Sequence, residues 1–173
     1  MIFELVGTVL AGLAAALLVF AVRRYAPERF PNWLIPVAAG GAMIVATISS
    51  EYGWYARTAD RLPEGVVVAQ TVEESAVYRP WTYLVPLTTR FVAVDRAGAK
   101  THRDFPGQRI VDLRFYGRWQ PVRSIPVLFD CRRNRSVVIA RGTEFDGDGA
   151  IADPEWEDMP PDDPVLRAAC GEA

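Results

Sequence analysis

The 173-residue chain is half hydrophobic and has a formal net charge of -2, averages that by themselves suit a small soluble domain. Their distribution excludes that description. Ile2 to Val22 holds 21 residues with one formal charge, Glu4, and Trp33 to Ser50 holds 18 with none, whereas a helix crossing the hydrocarbon core of a bilayer needs about 20 apolar residues.

Each run therefore predicts a transmembrane helix. A secretory signal would begin with a basic segment, and Met1 to Glu4 contains no Arg or Lys. Glu4 sits at the end of its span, where a carboxylate can reach the interface. Between the runs, Arg23 to Asn32 carries three arginines against one glutamate. Short Arg-rich loops stay cytoplasmic, which places both termini outside. A ratio of 18 Arg to 1 Lys fits a high-GC bacterial proteome, so the expected location is the inner membrane, crossed twice, with the C-terminal domain in the periplasm.

Pro36 falls in the first turn of the second helix, where its missing N–H removes no intrahelical bond. Tyr52, Trp54 and Tyr55 follow the apolar run at the level of an aromatic interface belt, and Leu62-Pro63-Glu64-Gly65 ends the helix. Small residues recur every fourth position, Gly7, Ala11 and Ala15 in the first helix and Ala38, Ala42 and Ala46 in the second, with Gly41 beside them. That spacing predicts one face suited to close packing of the two helices.

From Val66 the period changes to that of strands. Val66 to Val72 opens a β-rich stretch that continues through Tyr78, Trp81, Tyr83 and Leu84 to Val94, followed by a turn signal at Asp95-Arg96-Ala97-Gly98. In Arg109 to Tyr116, Val111, Leu113 and Phe115 alternate with Ile110, Asp112, Arg114 and Tyr116, the pattern of a half-buried strand. Val122 to Phe129 and Ser136 to Ala140 predict two more strands about the turn Asp130 to Arg135. Pro80, Pro86, Pro106, Pro121 and Pro126 are expected at edges. The expected fold is a transmembrane helical hairpin, residues 1–61, and a mainly-β extramembrane domain, residues 62–141, forming a sandwich or partly open barrel of about five to seven strands. An acidic irregular arm, residues 142–173, follows.

The arm has ten acids and one arginine, a net of -9, while Glu51 to Arg141 has fifteen Arg or Lys and nine acids, a net of +6. It either wraps onto its own domain or waits for a partner. Cys131 and Cys170 are the two cysteines. In an oxidising compartment they are expected to form a disulfide, and no CxxC spacing points to thiol exchange.

Catalytic motifs do not emerge. His102 is the single histidine, and Thr101-His102-Arg103-Asp104 has no metal-ligand spacing. No nucleotide-binding glycine loop, nucleophile elbow or haem motif occurs. Asp146 to Asp153 lacks the pattern of a calcium loop. Asp104 and Asp112 are conceivable paired carboxylates, but nothing in the sequence brings them together. No cofactor is expected. Arg114, Arg118, Arg123, Arg132, Arg133 and Arg135 interleave with Phe115, Tyr116 and Trp119. The external location disfavours nucleic acid, leaving anionic headgroups or an acidic protein surface. The leading expectation is a non-catalytic accessory subunit of a larger inner-membrane complex, contacted through Arg114, Arg118, Trp119, Glu155, Glu157 and Asp158. The alternatives are a small anchored enzyme or ligand-binding module using Arg, Asp and Tyr, and a homo-oligomeric envelope protein.

Overall fold

The computed structural model describes residues 2–26, 28–101, 105–140 and 155–171. They form two compact units, Met1–Ala56 and Arg57–Ala173. His102 and Asp104, the stretch Asp146 to Asp153 and most of the first half of the expected arm lie outside the described residues.

In the first unit α1 spans Ile2–Tyr25, 24 residues, and α2 spans Leu34–Ala59, 26 residues. At about 1.5 Å per residue both exceed the roughly 30 Å of a bilayer core, and both are apolar enough to cross a membrane. Their apolar side chains are turned outward: Leu13, Leu17 and Phe20 of α1 and Val37, Ile44 and Val45 of α2 are exposed. A helix that is apolar around its circumference needs a nonaqueous surrounding.

The helices are in close contact at Gly12, the one buried residue of α1. A Cβ there would lie 2.7 Å from Met43 Cγ and 3.4 Å from the Ala39 carbonyl oxygen. Ala11, Ala15, Ala38, Ala42 and Ala46 are half-buried. Gly7 and Gly41 are exposed, and a Cβ on either would meet nothing within 4 Å. A spacing of four drifts by about 40° per step around a 3.6-residue helix, so an unbroken i, i+4 series leaves the contact face. Near the chain start, Ser50 Oγ donates to Glu4 Oε1 at 3.1 Å, giving the carboxylate an interhelical partner. Tyr52, Trp54 and Tyr55 are half-buried on α2, which runs on past them to Ala59.

The second unit is one antiparallel sheet of six strands in sequential order, a half-barrel rather than a sandwich. The strands are β1 Val66–Glu74, β2 Leu87–Thr101, β3 Gln108–Gly117, β4 Gln120–Asp130, β5 Arg135–Val138 and β6 Glu157–Asp158. Two expectations fail here. Asp95 to Gly98 is no turn, because β2 passes through it; the register slips between Asp95 and Lys100, and the Gly98 N–H donates to Asp95 Oδ1 at 2.9 Å. The turn-forming residues are absorbed as an irregularity within a long strand. Tyr78, Trp81 and Tyr83 are not in a strand either, since Pro80–Tyr83 is a 3-10 turn with proline in its first turn.

Pro121 and Pro126 lie inside β4, in the half that pairs with β3 while β5 pairs only from Val127 onward. A proline is tolerated where one side of a strand has no neighbour. The β4–β5 turn is built on Asp130. Its Oδ1 accepts from the N–H groups of Arg132 and Arg133 at 3.2 and 3.3 Å, and its Oδ2 receives the Arg135 guanidinium at 3.1 Å. Asn134 supplies the positive φ, 52°, which asparagine tolerates better than most residues.

Residues in register share a face. Val94 pairs with Leu113, Leu113 with Ile125, and Val111 with Val127, so one face carries the core with Phe129. The described C-terminal residues cover it, correcting the irregular arm. β6 pairs with β5, and Trp156 lies under Arg135, 4.1 Å from guanidinium carbon to ring centroid. α3, Pro164–Cys170, buries Leu166, Ala168 and Ala169 against that core. Asp163 caps α3 by accepting from Val165 and Leu166 N–H at 2.8 and 3.0 Å, with Pro164 at the first helical position. Arg96 Nε and Arg109 Nη1 donate to the carbonyls of Ala168 and Gly171 at 2.6 and 3.3 Å. Cys131 and Cys170 stand as a disulfide pair with Cα atoms 5.6 Å apart.

Candidate functional site

The β1–β2 connection and the β3–β4 turn lie at one end of the sheet, since Glu74 faces Leu87 and Gly117 faces Gln120. The Arg118 N–H donates to the Thr89 carbonyl at 3.3 Å, tying the turn to β2. α3 covers the core face only in part. Beyond it the face continues as a groove of about 450 Å³ floored by Val72, Val92, Phe115 and Ile125 and flanked by Arg90 and Arg123. Val92 and Ile125 also pack on the core, so the groove is an extension of the core left open. Arg123 sits opposite Phe115 in the ladder, whereas Gly117 opposite Arg90 contributes no side chain. Arg90 holds Glu74 at 2.7 Å in an exposed pair, an arrangement of small energetic consequence that a stronger partner can displace.

Beside the groove a cleft of about 350 Å³ opens between the two turns, lined by Tyr78, Arg79, Thr89, Arg90, Arg118 and Trp119 among others. Arg79 lies 5.3 Å from the Tyr78 ring centroid and Arg118 lies 4.8 Å from that of Trp119, both measured from the guanidinium carbon. Thr89 Oγ1 is buried without a hydrogen-bond partner among the described residues, a condition that a polar ligand or water would relieve.

The connection over residues 75–86 is ordered although apolar. Thr82, 1 % exposed, accepts from the Ala76 N–H at 3.0 Å and donates to the Arg79 carbonyl at 2.7 Å. Around this fixed hydroxyl, Val77, Tyr78, Tyr83 and Leu84 reach exposures of 83, 78, 61 and 86 %.

The residues singled out in the sequence do not converge on one place. Arg118 and Trp119 belong to this end, and Trp119 is 56 % exposed. Arg114 lies on the opposite face, bound to Asp95 at 2.6 Å. The Tyr116 side chain first, and Asp95 after it, hold the Arg114 guanidinium pKa above its ordinary value. Asp112 faces Asp95 across the ladder, a like-charged opposition that Arg114 offsets. Glu155, Glu157 and Asp158 are exposed, the latter two on the short outer strand β6. Among the described residues no three His, Cys, Asp or Glu side chains are placed to share a metal ion. Sequence patterning missed the groove and the 75–86 connection; Pro80 and Pro86, which interrupt the aromatic run, were the available signal for the latter.

The chain matches no family model, no curated protein and no solved structure.

Proposed function

We propose that the chain is a non-catalytic accessory subunit of a bacterial inner-membrane complex, anchored by α1 and α2 with both termini and the sheet unit in the periplasm. In this reading it stabilises or regulates a larger partner. The observation that carries the proposal is the open groove: an apolar floor continuous with the core, flanked by two arginines. A partner segment with an apolar side chain and neighbouring carboxylates fits that chemistry, because buried apolar anchors with charged rims dominate protein recognition. The Arg-rich connection after α1 supports the orientation, and the Cys131–Cys170 pair suits an oxidising compartment.

Isolation in mild detergent at low salt tests it. The wild type is expected to retain a stoichiometric foreign membrane subunit, and Arg90→Glu/Arg123→Glu to weaken that association about tenfold with little change in the melting temperature. A wild type that migrates alone, or only with copies of itself, contradicts the proposal.

A further inference from the structure

Residues 75–86 and 117–123 together contain Arg79, Arg118 and Arg123, no acid, and the aromatics Tyr78, Trp81, Tyr83 and Trp119, in a chain that has 21 acids elsewhere. Exposed Val77, Leu84 and Val122 accompany them. Tyr and Trp beside Arg and aliphatic side chains is the composition of a protein surface at a membrane–water interface. Exposed apolar groups on an ordered loop are otherwise held in water at a cost. The cleft between the turns adds a seat for an anion, since Arg79, Arg118 and Arg90 line it. Glu74 also lines the cleft, paired to Arg90.

We infer that this end of the sheet binds the surface of an anionic phospholipid bilayer, the aromatic and aliphatic side chains entering the headgroup region and a headgroup phosphate occupying the cleft. Arg118 and Arg79 supply charge-assisted hydrogen bonds to phosphate oxygens. The inference rests on the anchor part of the preceding proposal and adds a lipid to the protein partner.

Hydrogen exchange of the full chain in nanodiscs tests it. One disc type is phosphatidylcholine alone and the other contains about one-third phosphatidylglycerol, enough for a substantial negative surface potential. Incorporation into either disc reports the anchor separately from the contact. Amides of residues 75–86 and 117–120 are expected to exchange about tenfold more slowly in the anionic disc, a local change in opening, with the core of β2 and β3 unaffected. Arg79→Gln/Arg118→Gln should remove the difference, and added salt should remove it from the wild type, which keeps the test valid if the variant folds poorly. Inorganic phosphate added to neutral discs should not reproduce the protection, because it fills the cleft without giving the bilayer a negative surface; protection by phosphate there would overturn the inference. Equal exchange in both discs overturns the inference. Protection found only in native membranes and absent from both discs also overturns it, assigning the surface to a protein instead.

Discussion

Replacing Cys131 and Cys170 together by serine is expected to lower the stability of the sheet unit by about 4 kcal/mol. The pair is separated by 39 positions, and closing a loop of that length in the unfolded chain carries an entropic term of about this size. The bond also fastens the end of α3 to the β4–β5 turn, on which the burial of Leu166, Ala168 and Ala169 depends. For a unit of this size the midpoint should fall by about 15 °C. Thermal unfolding in mild detergent, followed by tryptophan fluorescence with and without reductant, measures it. Reduced wild type and the serine variant should melt together; a wild type indifferent to reductant would show that α3 is held by other means.

Asp130→Ala should cost about 3 kcal/mol, the second largest expected effect. The Asp130 side chain is 7 % exposed, and it satisfies the N–H groups of Arg132 and Arg133 together with the Arg135 guanidinium. Removing one partner of a largely buried ion pair leaves the other cation and the turn donors without their acceptor. Asp130→Asn separates the contributions, since its amide oxygen can still accept from the turn while the charge is gone. It should cost about half as much, the hydrogen bonds to the turn being retained. Denaturant titration of the two variants checks this; an alanine variant within about 0.5 kcal/mol of wild type would remove Asp130 from the determinants of the turn.

Much of the architecture is legible in the residues, and the failures have identifiable causes. Long uncharged runs encode α1 and α2 because helix length and apolarity suffice. Alternation encodes β3, where Val111 and Leu113 are buried and Asp112 is exposed. Pairing also follows from the even cysteine count. The aromatic connection reads as strand because Tyr, Trp and Val favour strands in general, whereas Thr82 and two prolines fix it as a turn. Asp95 to Gly98 reads as a turn because its composition is turn-like; the ladder that flanks it, Asp95 with Val66 and Asp112 and then Lys100 with Ile110, carries the strand through it. The acidic C-terminal segment reads as unstructured on average charge, which conceals Asp163-Pro164, a helix start, and the short apolar stripe of α3 behind it.

The candidate site was the least legible part. A groove depends on which rows of side chains α3 leaves uncovered, and no sequence period encodes that. Arg118 and Trp119 were recognisable as a cationic aromatic pair, and the ring contact at 4.8 Å places them together. Arg114, two positions after Asp112, looked equivalent by composition but is engaged with Asp95 on the other face. Strand parity separates the two arginines, together with the turn at Gly117.

If the chain is, as proposed, an anchored subunit whose open groove meets a larger membrane protein, a probe in the groove should capture that protein. Site-specific photocrosslinking in intact cells tests it most directly, with the photoreactive residue placed at Phe115 on the groove floor or at Asp112 on the opposite face. One dominant adduct with a membrane protein is expected from position 115 and none from position 112. No adduct from 115, or the same adducts from both positions, would contradict it.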